Sequence, residues 1–172
     1  MKNQNPNKYS LSAIVAFGSN EGDRTHFISQ SLMMIERDIG PIVSRSNIYK
    51  TAPIGAANQE FLNGAALIQT NLQPHKLLTQ LLHIEHELGR TRYEKWGNRT
   101  IDLDIVVAND FTKGPIVLND QDLILPHPES LLRDFVLVPA SEVSPSWIHP
   151  STGNTLMNEV QKRGYALGSP VN

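Results

Sequence analysis

Cysteine is absent from the 172-residue chain, which excludes a disulfide framework, thiol catalysis and a cysteine-built zinc site. Aromatic residues are scarce at 6%, and no apolar run approaches the roughly 20 residues of a membrane-spanning helix. Excess charge of either sign is also missing: 15 Lys+Arg against 17 Asp+Glu leave a formal net charge of −2. So neutral a chain lacks the basic face that dominates affinity for duplex DNA, and any anion site has to be local. The N-terminal stretch MKNQNPNKYS has no apolar segment of the signal-peptide kind. Residues 1–10 are expected to form a flexible tail, and the protein is expected to be cytoplasmic. What is present is an ordinary globular composition, 40% hydrophobic and 19% charged. The length suits one compact domain, 1–172, around one sizeable core.

Hydrophobic spacing divides that domain into elements. Ser12 to Phe17 is short, apolar and partly β-branched, and predicts a buried strand ending at a Gly18–Asp23 turn, with Asp23 as a helix N-cap. Ile28, Leu32, Ile35 and Ile39 recur at helical spacing up to a Gly40-Pro41 stop. Ile42 to Tyr49 and Phe61 to Thr70 predict two strands separated by a Pro- and Gly-containing loop. A second helix follows Pro74 through Leu77, Leu81, Ile84 and Leu88, stopped by Gly89. Ile101 to Val107 predicts the fourth strand. The order βαββαβ predicts an α+β fold: a ferredoxin-like core, an antiparallel sheet with helices packed on one face. The remainder forms a C-terminal extension with short helices near 131–143 and 155–163.

The chemistry concentrates between Gly89 and Ile105, GRTRYEKWGNRTIDLDI. Asp102 and Asp104 are two apart, so on a strand both carboxylates face one way while Ile101, Leu103 and Ile105 face the other. Paired carboxylates suit Mg²⁺, which is usually held by one or two carboxylates plus substrate phosphates. Arg90, Arg92, Lys95 and Arg99 precede them, which is the charge layout of a metal–polyphosphate site. The alternative is a solvated strand face with incidental Arg–Asp pairs. Trp96 beside Gly97 suits either a loop that closes over a ligand or one anchored on the core. His127, fixed between Pro126 and Pro128, lies near Arg133 and Phe135; it reads as a second binding cluster or as a structural turn. HIEHE around Glu85 is not a zinc motif, and an ordinary helix-surface carboxylate is the other reading of Glu85. Gly18-Ser19-Asn20 lacks the Walker spacing and suits a tight turn or a close backbone approach to a ligand.

Together these segments resemble the 6-hydroxymethyl-7,8-dihydropterin pyrophosphokinase (2-amino-4-hydroxy-6-hydroxymethyldihydropteridine diphosphokinase) family of folate biosynthesis. The matching stretches are Gly18–Asp23, Ser46–Gly55, Phe61–Asn63, Ile84-Glu85, Gly89–Arg92, Trp96–Ile105 and Pro126–Pro128 with Arg133, Phe135 and Pro139. The WGxRTxDxDI block is the most specific. The resemblance implies transfer of pyrophosphate from ATP to the hydroxymethyl group of the dihydropterin, releasing AMP. It implies that Asp102 and Asp104 bind two Mg²⁺ and, with Arg90 and Arg99, form the catalytic set. Glu85, Arg92, Lys95, Trp96, His127 and Arg133 would serve ATP. Phe61 and Phe135 would sandwich the pterin, while Gly18, Thr51, Ala52, Ile54 and Asn63 read its polar edge. The expected partners are ATP and the dihydropterin, with no nucleic acid, membrane or obligate protein partner, and no second folate enzyme within this length.

Four residues depart from the family pattern: Glu21, Leu82, Lys95 and Asn98. Asn98 stands where proline is usual and is expected to leave its loop less rigid. The rival reading is a non-catalytic ferredoxin-like domain that binds RNA or senses a small molecule. The low aromatic content, the missing RNP1 pattern and two acids on the candidate strand face argue against RNA.

Overall fold

The computed structural model describes residues 8–53, 57–90 and 98–171. Strand β1 (Leu11–Ser19) is buried along nearly its whole length and forms the centre of the sheet. It is flanked by β4 (Phe61–Thr70) on one side and β5 (Asp102–Asp110) on the other, both antiparallel to it. The predicted strand Ile42–Tyr49 is two strands, β2 (Ile42–Arg45) and β3 (Tyr49–Thr51), which pair in turn with the outer edge of β4. The break has a local cause. The Ser46 hydroxyl accepts the Ala65 N–H at 2.8 Å, in place of a backbone carbonyl, while Glu142 accepts the Asn47 N–H at 2.9 Å. Short β6 (Gly114–Pro115) extends the sheet beyond β5, giving the order β2-β4-β1-β5-β6. A separate two-stranded ribbon pairs β7 (Leu118–Asn119) with β8 (Ile124–Leu125).

Helices cover both faces. Helix α1 (Arg24–Asp38) starts at Asp23, whose carboxylate accepts the His26 N–H at 3.0 Å, and α2 (Pro74–Glu87) starts with Pro74 in its first turn. Both bury their predicted apolar stripes, Ile28, Leu32 and Ile35 from α1 and Leu77, Leu81 and Ile84 from α2, on the face that carries Leu103 and Ile105. The expected one-sided packing holds for these two helices only. Helices α3 (Asp134–Val143) and α4 (Leu156–Arg163) belong to the opposite layer, where Val136, Leu137, Ala140 and Leu156 pack with Ile14, Ala65, Val106 and Val107.

Two features of the sheet set up the site. A bulge in β5 lets Val15 pair with Ile105 and Ile14 with Val107, so Val106 is the extra residue and both valines serve the α3 layer. Gly18 lies inside β1 rather than in a turn, paired with Asn63 on one side and Asp102 on the other. A Cβ there would come within 2.5 Å of the Asn63 Oδ1, so only glycine permits this approach.

Candidate active site

Asp102 and Asp104 project from the start of β5 toward the α3 side, as their two-residue spacing predicts, while Leu103 and Ile105 are buried in the opposite core. Backbone groups of β5 that do not serve β1 fasten the neighbouring functional segments. The Leu103 N–H donates to the Glu85 Oε1 at 2.8 Å, and the Val106 carbonyl accepts the His127 N–H at 2.8 Å. One strand thus aligns the acids, α2 and the Pro126–Pro128 turn.

Glu85 is not a surface carboxylate; it is 2% exposed. Besides Leu103 it binds the Arg90 guanidinium, which also reaches the Asp102 Oδ1 at 2.6 Å. Arg99 pairs with the other oxygen of Asp102. Burial pushes the Glu85 carboxyl up to about 7 against the pull of Arg90. Burial, and next the Asp102 charge, push Asp104 up to about 6. For Glu85 the sign is unambiguous. An acid whose pKa rises on folding, here from 4.5 to about 7, contributes stability that is full below the lower value and lost as pH rises through the upper one. Glu85→Gln keeps the carbonyl acceptor for Leu103 and removes the titration. Its melting temperature should rise relative to the parent chain's between pH 5 and 7.5, by about 5 °C for a domain of this size. A gap independent of pH would show that Glu85 ionises freely in the fold.

Three clefts meet at the acid pair. The first has Phe61 and Phe135 among its walls, with Gly18, Thr51, Ala52 and Asn63, and opens onto Arg99, Asp102, Asp104 and Arg133. Asn63 donates to the Thr51 hydroxyl at 2.6 Å, which orients its amide. Guanidinium groups lie beside both rings: Arg99 is 5.8 Å from the Phe61 ring centre and Arg133 5.8 Å from that of Phe135. The second cleft shares those two acids and two arginines and adds Arg90, His127, Pro128 and Glu129. The third shares Asp104, His127 and Pro128 and runs on to Leu78, Gln121 and Leu123. His127 accepts the Glu129 N–H at Nδ1, 3.2 Å away, so the ring proton resides on Nε2. Burial, and then the Arg133 charge, lower its pKa, so it stays a neutral N–H donor near pH 7. Arg133 caps α3 and is paired with Glu129.

The structure therefore gathers Gly18, Thr51, Ala52, Phe61, Asn63 and Phe135 around one cleft and Arg90, Arg99, Asp102, Asp104, His127 and Arg133 around the adjoining one. Ile54, Arg92, Lys95 and Trp96 lie outside the described residues. Sequence reasoning missed the third cleft, because no motif marks Leu78, Gln121 or Leu123. It also gave no role to Asn20, Asn58 and Asn98, whose side chains bond across sequence separations of 39 to 79. The Asn98 amide makes hydrogen bonds to Asn20 and Asn58, while the rest of its loop, 91–97, lies outside the described residues.

An apolar cleft with two aromatic walls thus adjoins a cationic cleft through the paired carboxylates. The sequence model of the family described as 7,8-dihydro-6-hydroxymethylpterin-pyrophosphokinase (HPPK) matches residues 14–145. The chain belongs to the HPPK family. It is 41% identical over 133 residues to the 2-amino-4-hydroxy-6-hydroxymethyldihydropteridine pyrophosphokinase of Bacillus subtilis, covering 76% of this chain and 77% of that one. Against the enzyme of the same name from Synechocystis it is 34% identical over 151 residues, 87% of this chain and 75% of the relative. Among solved structures, Plasmodium falciparum HPPK-DHPS superimposes with a TM-score of 0.69 over 90% of this chain and 43% of that one, at 14% identity. That likeness concerns the fold; this chain spans less than half of that two-part protein. The HPPK match ends at residue 145, so α4 lies beyond it.

Proposed function

We propose that the protein transfers pyrophosphate from ATP to the hydroxymethyl group of 6-hydroxymethyl-7,8-dihydropterin, a step of folate biosynthesis, and that the three clefts divide the substrates. The observation that carries this reading is the position of Asp102 and Asp104 at the junction of the aromatic-walled and the cationic clefts. The flat pterin stacks between Phe61 and Phe135, with its polar edge against Asn63, Thr51 and the backbone around Gly18 and Ala52. The triphosphate lies along Arg90, Arg99 and Arg133, and the nucleoside occupies the groove past His127 toward Leu123. The pterin alcohol then faces the β-phosphorus across the acids.

In that arrangement the alcohol oxygen bonds to the β-phosphorus and the bond from that phosphorus to the α–β bridging oxygen breaks, so AMP departs with that oxygen and the alcohol proton is released to solvent. Asp102 and Asp104 are two hard oxygen donors on one strand face at the mouth of a cationic cleft, which fits Mg²⁺ with phosphate oxygens completing its shell. Two such ions are proposed. Held by Asp102 and Asp104, Mg²⁺ would supply charge neutralisation and Lewis acidity toward a bound alcohol. The protein's own share is positioning and charge. Glu85 holds Arg90 in place from beneath. His127 binds rather than accepts a proton, because Nδ1 is engaged and Nε2 already carries hydrogen. Among the described residues no helix is long and apolar enough to cross a membrane. The reading is of a single ferredoxin-like domain with a C-terminal extension, acting in the cytoplasm without an obligate partner; the strand order β2-β4-β1-β5 supports that topology.

Phosphorus NMR tests the assignment. With Mg²⁺ and the dihydropterin alcohol, ATP should be converted into AMP and a pterin diphosphate in equal amounts. Conversion to ADP, or AMP formation that ignores the alcohol, would defeat it. The aromatic walls carry a second test. Phe61→Ala and Phe135→Ala should each weaken pterin binding by about 1–3 kcal/mol through lost stacking and burial. ATP binding should change little, as calorimetric titration of each ligand would show. Equal losses for both ligands would indicate a collapsed site instead of a missing wall.

A further inference from the structure

Three chain segments that border the pterin cleft are joined by side-chain amides rather than by secondary structure. The Asn98 Oδ1 accepts from the Asn20 Nδ2 at 2.9 Å, and the Asn98 Nδ2 donates to the Asn58 Oδ1 at 2.8 Å. The Asn58 backbone N–H closes the pair on the Asn98 Oδ1 at 3.3 Å. Asn20, fully buried at the end of β1, uses its remaining groups on the same segments. Its Oδ1 accepts the Arg99 N–H at 2.8 Å, its own N–H donates to the Arg99 carbonyl at 3.1 Å, and its Nδ2 also reaches the Gln59 carbonyl at 3.2 Å. Residues 58–60 are exposed, so apolar burial does not hold them. Yet they lead directly into Phe61, over whose ring Arg99 lies.

We propose that Asn20, Asn58 and Asn98 form an amide clasp that fixes Arg99 against Phe61, which makes Asn58 and Asn98 positioning residues for the pterin cleft. The inference rests on the pterin reading of that cleft. Each amide presents a donor opposite an acceptor, so the clasp specifies one register between the segment before β4 and the segment before β5. Loss of either partner frees the Phe61 wall to shift relative to Arg99, at little cost to a core that neither residue helps to build. The effect falls mainly on pterin affinity, because the phosphate-facing Arg90, His127 and Arg133 are fastened elsewhere and the Arg99 guanidinium keeps its own ion pair with Asp102.

The experiment compares Asn58→Ala, Asn98→Ala, their double variant and the conservative Asn58→Asp in the full chain. Both alanine variants should raise the KM for the dihydropterin about tenfold, leave the KM for ATP and the melting temperature nearly unchanged, and hold kcat within about threefold. The double variant should be no worse than Asn98→Ala, which alone breaks the Asn58–Asn98 pair as well as the bond to Asn20. Asn58→Asp retains the acceptor for Asn98 and should restore the parental KM. In the ligand-free protein, hydrogen exchange at the Arg99 amide should accelerate in Asn98→Ala and not in Asn58→Asp. An unchanged pterin KM in Asn98→Ala, additive single effects, or an aspartate variant as impaired as alanine would each overturn the clasp. If the parent chain made no pterin-dependent AMP but the Arg99 amide still responded, the clasp would stand and the pterin reading would fall.

Discussion

Alanine in place of Asp102 or Asp104 should lower kcat by at least about 10³-fold, comparable with the loss of the strongest preorganised electrostatic groups in enzymes. Both carboxylates stand at the junction where the proposed pterin and triphosphate positions meet, and among the described residues no other acid lines both adjoining clefts. The two variants should nevertheless differ in stability. Desolvation, and next repulsion by Asp102, hold the half-buried Asp104 carboxyl at a pKa of about 6, so its removal relieves an unfavourable charge and the metal-free protein should melt higher. Asp102 is the shared partner of Arg90 and Arg99, so its removal leaves two cations facing each other and the protein should melt lower. Steady-state kinetics with differential scanning calorimetry would check both halves. Near-normal kcat in either variant would remove the acids from the chemistry.

Arg90→Ala and Arg99→Ala should each reduce kcat by about 10²-fold while the dissociation constant of the MgATP complex rises by less than about fivefold. Without ligand, both guanidinium groups are held by Asp102. In the proposed reaction they exchange that carboxylate for phosphate oxygens on nucleotide entry. Deleting one arginine therefore removes a phosphate contact and at the same time releases Asp102 from a competing cation, and the two effects offset each other in the ground state. No such compensation exists as charge moves onto the departing AMP. Arg90 needs one control, because its loss strands the buried Glu85; Arg90→Ala combined with Glu85→Gln removes that complication. Equilibrium titration and single-turnover kinetics separate the two quantities. Affinity that falls as steeply as the chemical step would make both arginines ground-state anchors.

Much of this site was legible in the sequence because its signals are local. The IDLDI alternation announces a strand with two acids on one side, and β4 begins and ends at Phe61 and Thr70, as the apolar run predicts. The periodic stripe of α2 likewise buries Leu77, Leu81 and Ile84. What escaped was non-local. Gly18 continues β1 because Asn63, 45 positions away and its cross-strand partner, leaves no room for a side chain. The strand after α1 breaks because Glu142, from α3, takes the Asn47 N–H. The burial of Glu85 depends on the backbone of Leu103, and the amide clasp unites three segments that no sequence window spans. Helix α3 reads as a short helical stretch, but only its packing on Ile14, Ala65 and Val106 reveals a second helical layer, which brings Phe135 to the cleft.

The central claim is that the pterin alcohol itself attacks the β-phosphorus of ATP at the Asp102–Asp104 junction. An oxygen-18 label in the hydroxymethyl group follows that bond directly. Incubated with the protein, MgATP and the labelled dihydropterin, the label should be found wholly in the bridge between pterin carbon and diphosphate, with unlabelled AMP as the co-product. Label lost to solvent, pterin monophosphate with ADP, or AMP formed at the same rate without the pterin would contradict the account.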